Sequence, residues 1–538
     1  MAKQILKGKE LKNKLLSGIQ QLAETVSITL GPKGRNVGLD MKFVEPIILH
    51  DGVSVARQIE LPDPFENFAA KLIQQTSSKT ADKAGDGTTT STLLAWKIIE
   101  NGFREIEENN MNPMTMKKGI TLATNEIVEH LKKMTQEIKT PKEITQIATV
   151  SSANEELGKI IGEAVARVGK DGTVTVEESA KMDTVVEYKE GMEIDKGYIS
   201  PYFCTNAEKM ESEIKNPRII LTDMEITSPT DMGAVLETLV KELKREDIVI
   251  IATHVDGGAL ETLILNKNRG SIKPLAVFAP SFGLKRRDVL EDIAVLTGAT
   301  VITREMGIKI DEIKAEHFGQ ADLILADAEK TKIIGGYGKP EKIEERVKLL
   351  RQQIKDEESD FAREKLQERL ARLVSGAAII KVGATTEIEL SDKRERVIDA
   401  VEATKSALEE GIVPGGGIIY YQLYKKIKDL SHSNKDQQAG IDIVRNALLE
   451  PLKKILDNAG EDSTEIIKQI ENNKESNFGY DVETEVFGNM FELGIIDPTK
   501  VVRNAIQNSA SVSAQILTME ATVCVIPDET PPTLAPKA

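Results

Sequence analysis

Cysteine is nearly absent. The 538 residues include Cys204 and Cys524 and no others, too few for a disulfide framework, as in proteins of reducing compartments. Aromatic residues make up 4%, with Trp96 the single tryptophan, which argues against an aromatic-lined surface for nucleic acid or carbohydrate. The five histidines (His50, His130, His254, His317, His432) lie far apart and nothing has metal-ligand spacing, so neither zinc nor haem is expected. No apolar run approaches the roughly 18 residues of a membrane span. The stretch after Met1 has neither a signal nor a transit pattern, so the expected address is the cytoplasm. Basic residues fall short of acidic ones, 70 against 86, for a net charge of -16. That disfavours nonspecific binding to DNA or an anionic bilayer, yet leaves room for a local phosphate site.

What is present is a core. Hydrophobic residues at 40% and charged residues at 29% exclude bulk disorder. At about 150 residues per domain the length corresponds to about three or four domains. From about Lys9 to Glu137 the spacing is helical, interrupted by a strand-like Pro46-Ile47-Ile48-Leu49 that ends in His50-Asp51-Gly52. The centre alternates: 173–176, 218–221, 248–251 and 274–278 read as strands, with helical stretches at 231–244 and 256–269, which predicts an α/β middle. The stripes Ile343, Val347, Leu350, Ile354 and Phe361, Leu366, Leu370, Leu373 predict a charged helical hairpin with solvated outer faces. A helical C-terminal part follows, and a proline-rich tail from about 527 reads as disordered. Spacing leaves open whether the two helical ends form one domain or two.

Neither common nucleotide fingerprint occurs. Gly162 to Gly169-Lys170 has the wrong spacing for a P-loop, and Glu341 stands where Gly336-Tyr337-Gly338 would need a third glycine. Gly85-Asp86-Gly87-Thr88-Thr89-Thr90, however, opens a helical run. Glycines permit a tight turn, and the helix start offers unpaired N–H groups and a positive end to phosphate. Asp86 would repel phosphate unless a hard cation such as Mg²⁺ bridged them. A threonine-capped helix with no ligand is the plainer alternative. Thr29-Leu30-Gly31-Pro32-Lys33-Gly34-Arg35-Asn36 is by itself an ordinary turn, and Asp51 ends a strand where a turn suffices. Gly415-Gly416-Gly417 implies close backbone approach. Asp497-Pro498 reads as an N-cap with proline at the first helical position. Asp399 looks like one more solvated acid on a helix.

Together, in this order and at these separations, the segments resemble the group I chaperonins, the family of bacterial GroEL and its organelle relatives. The resemblance runs from Thr29 to Met519 and includes Gly191-Met192, Gly197-Tyr198-Ile199-Ser200-Pro201-Tyr202-Phe203, Arg351-Gln352-Gln353-Ile354, Arg363-Glu364-Lys365-Leu366-Gln367-Glu368-Arg369 and Gly494-Ile495-Ile496-Asp497-Pro498-Thr499-Lys500.

The resemblance implies a multidomain α plus α/β subunit of two stacked heptameric rings, an ATPase that folds non-native polypeptides with a co-chaperonin. It implies a mostly helical equatorial domain (1–132 and 410–538), an intermediate domain (133–189 and 378–409) and an α/β apical domain (190–377) inserted mid-chain. For the nucleotide it implies Thr29, Leu30, Gly31, Pro32, His50, Gly87, Thr88, Thr89, Thr90 and Gly416, with Asp481, Val482 and Glu483 by the base and Asp497 at the ribose. Asp86 would hold Mg²⁺, K⁺ would assist, and Asp399 with Asp51 would activate water. Tyr198, Tyr202, Phe203, Leu236, Leu260, Ile264 and Leu265 would meet the folding client, although spacing alone places Leu260, Leu263 and Ile264 in a core.

Four departures stand out. His50 replaces the usual lysine, Gly233 an apical leucine, and Asp481-Val482-Glu483 the usual Asn-Ala-Ala; the tail lacks Gly-Gly-Met repeats. His50 and Asp481 motivate an alternative, a divergent relative that holds unfolded chains with little ATP turnover. Asp51, Asp86 and Asp399 oppose it.

Overall fold

A computed structural model describes residues 3–40, 47–49, 51–170, 172–179, 181–207, 209–280, 284–357 and 359–525. Pro46, His50 and the tail from about 527 lie outside these residues. The chain forms two compact units. One gathers Met1–Glu163, Glu178–Thr184 and Val382–Ala538; the other comprises Ala164–Glu177 and Val185–Lys381.

The first unit is mostly helical, and both ends of the chain build it. In helix Gly8–Ser27 the residues Leu11, Leu15, Ile19, Leu22 and Val26 recur at three- and four-residue spacing and are fully buried. They join a core with Trp96, Ile120 and Ile127 from the first part of the chain and Ile443, Ile506 and Leu517 from the last. Strand Lys3–Lys7, unexpected from the sequence, pairs antiparallel with Ala521–Val525. Helices Pro113–Met134 and Lys435–Ala447 cross at glycines: a Cβ on Gly119 would stand 2.0 Å from the Gln437 carbonyl oxygen, and one on Gly440 would stand 2.2 Å from that of Met116. The question left open by spacing is thus answered, since the helical ends share one core.

The second unit is the expected α/β insertion. Strands Lys273–Phe278, Asp247–Ala252 and Arg218–Thr222 lie parallel in that order, and the sheet continues antiparallel through Gly319–Ala326, Thr331–Gly336 and Gly191–Ile194. Ile219 to Leu221, Ile248 to Ile251 and Leu275 to Val277 are all buried. Such continuous apolar runs are what parallel strands covered on both faces require. The expected helix at 231–244 is Pro229–Glu237, continued by a π-helical turn Thr238–Glu242. The hairpin Pro340–Asp356 and Asp360–Ser375 forms where expected. Its charges are not all solvated: buried Asp292 accepts from Arg346 Nε at 2.7 Å and Arg369 Nε at 2.8 Å, which pins the hairpin to helix Leu284–Thr297.

The glycine crossing gives a direct test. Gly440→Val drives methyl groups into backbone, and a loss of about 1–3 kcal/mol or more is expected. Urea unfolding measures it; an unchanged midpoint would show that the two helices do not approach so closely.

Candidate functional site

Helix Thr88–Glu108 is entered from Gly87, whose backbone is left-handed (φ 80°, ψ 14°) and which offers no capping side chain. Threonine does not cap this helix. Thr88, Thr89 and Thr90 form its first turn, where N–H groups have no i−4 carbonyl to reach. The preceding acid is held in place on both oxygens, by the Gly87 N–H on one side and by Ser151 Oγ at 3.0 Å on the other.

Three further segments close on this loop. A Cβ on Gly52 would stand 2.0 Å from Thr89 Oγ1, so the turn after strand Ile47–Leu49 abuts the helix start. Asp51 caps helix Gly52–Gln58, accepting from the N–H groups of Val53 (3.2 Å) and Ser54 (2.7 Å). Helix Glu387–Glu410 packs against the other side: a Cβ on Gly85 would stand 2.1 Å from Glu402 Cβ, and Ser406 Oγ donates to the Ala84 carbonyl at 3.0 Å. Asp399 lies three residues before Glu402 and seven before Ser406, hence on the same helix face one turn further along. That helix also touches strand Ile47–Leu49.

From the C-terminal part comes Asp497, and here the sequence reading needs correction. Asp497 caps no helix. It sits in strand Ile496–Pro498, paired with Val413, and helix Thr499–Leu517 is entered from Pro498 without a side-chain cap. Strand pairing holds the residue extended and leaves its carboxylate 2.8 Å from where a Cβ on Gly415 would be, so the glycine run makes way for an acid. Gly416 follows with φ 62°, and Gly417 caps helix Ile418–Lys426.

The Thr29–Pro32 turn follows helix Gly8–Ser27. Thr29 Oγ1 donates to the Val26 carbonyl at 2.9 Å, and Asn458 Nδ2 donates to the carbonyls of Ser27 and Leu30, each at 2.9 Å. Lys33 Nζ lies 3.4 Å from Glu485 on the turn that follows strand Phe478–Asp481. In that turn Asp481 accepts from the Glu483 N–H (2.9 Å) and Thr484 Oγ1 (2.5 Å), Val482 is buried and Glu483 is exposed. Ser151, Asn458 and Tyr420 were not singled out from sequence; all three serve this region.

Burial pushes the Asp86 carboxyl above its usual range; its two hydrogen bonds partly offset this, and the Asp51 charge adds to it. Burial and the Asp86 charge push Asp497 up to about 7. Burial, and after it the charges of Asp497 and Asp86, raises the Tyr420 phenol well above its usual range. Among the described residues no three Asp, Glu, His or Cys side chains converge as a ready metal site. A cation here must therefore take most of its oxygens from elsewhere. Mg²⁺ on one carboxylate plus substrate phosphates fits that requirement, and a structural metal does not.

The apolar residues expected to meet a client lie in the second unit and divide sharply. Tyr198, Phe203 and Leu236 are buried in the α/β core, so they present no side chain to a partner in this conformation. Tyr202 (73% exposed) and Leu265 (55%) face solvent, while Leu260 and Ile264 are half-buried on helix Gly257–Asn268. Leu263 is core, as spacing predicted. Nothing lies within 4 Å of a Cβ placed on Gly233.

The comparisons agree with this architecture. The family model for the TCP-1/cpn60 chaperonin family matches residues 22–527. Among solved structures, the chaperonin gp146 from the bacteriophage EL 2 (Pseudomonas aeruginosa), crystallised in the presence of ATP-BeFx, superposes with a TM-score of 0.69 at 20% identity. The match covers 98% of this chain and 99% of that one.

The upward shifts fix a sign. The folded chain holds these protons more tightly than the unfolded one, so stability falls as pH rises from the ordinary carboxylate range to about 7 and then levels off. Asp497→Asn removes the penalty: it should melt above the parent at about pH 8, with the advantage shrinking toward about pH 5. Thermal melts at both pH values decide; equal destabilisation at both would contradict the assignment.

Proposed function

Because this chain belongs to the TCP-1/cpn60 chaperonin family, we propose that it is an ATP-hydrolysing chaperone of the group I type, which captures non-native polypeptides on its α/β unit. The observation that carries the reading is the buried Asp86 at a helix start whose first N–H groups are capped by no side chain, with the Asp51 charge acting on it, its own charge acting on Asp497, and the helix of Asp399 packed against its loop.

In this reading the first-turn N–H groups and hydroxyls of Thr88, Thr89 and Thr90, with the backbone of Thr29 to Pro32, hold the phosphates, as helix starts do for anions. Gly416 lets the nucleotide approach the backbone, and Asp497 accepts from a ribose hydroxyl. Asp86 holds Mg²⁺, which when bound offsets phosphate charge; K⁺ is proposed as a further counter-ion. Asp399 orients the attacking water and takes its proton, with Asp51 assisting. Phosphoryl transfer asks for little more than such positioning and charge stabilisation. We further propose the equatorial, intermediate and apical partition, assembly into two stacked heptameric rings, a co-chaperonin partner and a cytoplasmic location. The ATP-poor holding alternative draws less support, because both Asp481 oxygens are taken by their own turn and the sequence keeps Asp51, Asp86 and Asp399.

Two measurements test this. Asp399→Ala should slow hydrolysis by ~10²–10⁴-fold while sparing ATP binding, as loss of a positioned acid–base group does. If only affinity falls, the catalytic assignment is wrong. Leu265→Asp should weaken capture of an unfolded chain by about tenfold or more with the ATPase rate unchanged, since each fully buried aliphatic contact is worth about 1.5–3 kcal/mol. Unchanged capture would remove the exposed face of helix Gly257–Asn268 from the client surface.

A further inference from the structure

The Asp86 carboxylate has one hydrogen-bond donor from a distant part of the chain. Ser151 Oγ donates to Asp86 Oδ2 at 3.0 Å, across 65 positions of sequence. Serine and threonine hydroxyls inside helices commonly bond back to a carbonyl one turn earlier. The other hydroxyls of helix Pro141–Ser152 keep to that habit: Thr145 donates to Pro141, Thr149 to Thr145 and Ser152 to Ala148. Ser151 departs from it, spending its proton on the acid loop instead. The helix that carries it is braced in place. It packs on helix Glu387–Glu410 and on strand Ile496–Pro498, the elements that carry Asp399 and Asp497.

The 3.0 Å separation has a second meaning. Octahedral Mg²⁺ takes oxygens at about 2.0–2.1 Å, so two neighbouring oxygens on it stand √2 times as far apart, roughly 2.8–3.0 Å. Ca²⁺, with oxygens at about 2.3–2.6 Å, would spread the same two to roughly 3.3–3.7 Å. Asp86 Oδ2 and Ser151 Oγ therefore have the spacing of one edge of a Mg²⁺ octahedron. A carboxylate together with a hydroxyl is also how P-loop nucleotide enzymes hold the ion. Among the described residues no three Asp, Glu, His or Cys side chains converge as a metal site, so a hydroxyl is the oxygen this chain sets beside Asp86.

We propose that Ser151 is a second protein ligand of the Mg²⁺ that the proposed function assigns to Asp86; the inference rests on that reading. The hydroxyl keeps its proton throughout. In the chain alone it donates to Asp86, and with the cation bound it turns a lone pair inward, neither oxygen having to move. A hydroxyl that merely competed with the cation for Oδ2 would have the opposite effect on affinity.

Titration calorimetry of ATP into the full-length Asp399→Ala protein, in Mg²⁺, in Cd²⁺ and in EDTA, separates the two. Ser151→Ala should weaken Mg²⁺–ATP binding by about 10–100-fold, the usual loss when a metal's ligand set is disturbed, and leave metal-free ATP binding unchanged. Ser151→Cys should favour Cd²⁺–ATP over Mg²⁺–ATP by at least about tenfold more than the serine protein does, because sulfur ligands select soft metals. Cys204 and Cys524 are common to both proteins and cancel in that ratio. Unchanged or tighter Mg²⁺–ATP binding by Ser151→Ala would overturn the proposal. So would an equal loss with and without metal, the mark of a structural or phosphate contact, or a Ser151→Cys protein that gains nothing with Cd²⁺. In those cases Mg²⁺-dependent binding by the serine protein leaves the reading of Asp86 standing. ATP binding that ignores Mg²⁺ in the serine protein would remove that reading and the proposal together.

Discussion

Burying the Asp86 carboxylate near Asp51 and Asp497 is unfavourable in the chain alone, and the candidate site depends on that fact. Desolvation and like charge raise Asp86 and Asp497 together, and two hydrogen bonds to Asp86 only partly offset the effect. The surrounding structure maintains this arrangement. Glycines stand wherever a side chain would block it: Gly52 against Thr89, Gly85 against Glu402 and Gly415 against the Asp497 carboxylate. A cation with oxygen ligands relieves what the fold imposes, which is why the acids support a nucleotide reading rather than a merely capped helix.

The geometry rests in turn on bringing the two ends of the chain together. The Gly119–Gly440 crossing and the pairing of Lys3–Lys7 with Ala521–Val525 place the C-terminal residues Gly415 and Asp497 in the same unit as the acid loop of the first part. Asp399 arrives separately, on a helix anchored to the loop at Glu402 and Ser406. The α/β insertion has its own core, so apolar surface at Tyr202 and Leu265 can stay exposed without compromising it.

Much of this was legible from local pattern. Buried parallel strands announce themselves as apolar runs, whereas the acid between glycines before a threonine-rich helix reads locally as a plain helix start and gains weight only from its company along the chain. What escaped depends on contacts between remote residues. Asn458 and Ser151 are ordinary polar helix residues until the fold sets them against the Thr29 turn and Asp86. Tyr420 carries no local sign that the charges of Asp497 and Asp86 reach its buried phenol. Asp497-Pro498 has both local marks of a helix start, yet pairing with Val413 overrides them. Strand Lys3–Lys7 is short and mostly exposed, too brief for alternation to show. Tyr198 and Phe203, which the resemblance would set against a client, are buried members of the α/β core.

In the proposed reading, a Mg²⁺–nucleotide complex at this site draws a proton from Asp497, whose carboxyl is pushed up to about 7 by burial and the Asp86 charge. Titration calorimetry of Mg²⁺–ATP into the Asp399→Ala protein near about pH 7, in two buffers of different ionisation enthalpy, measures this directly. Net proton release, diminished when Asp497 is also replaced by Asn, is the predicted result. Binding heat that is independent of buffer, or no binding at all, would contradict the account.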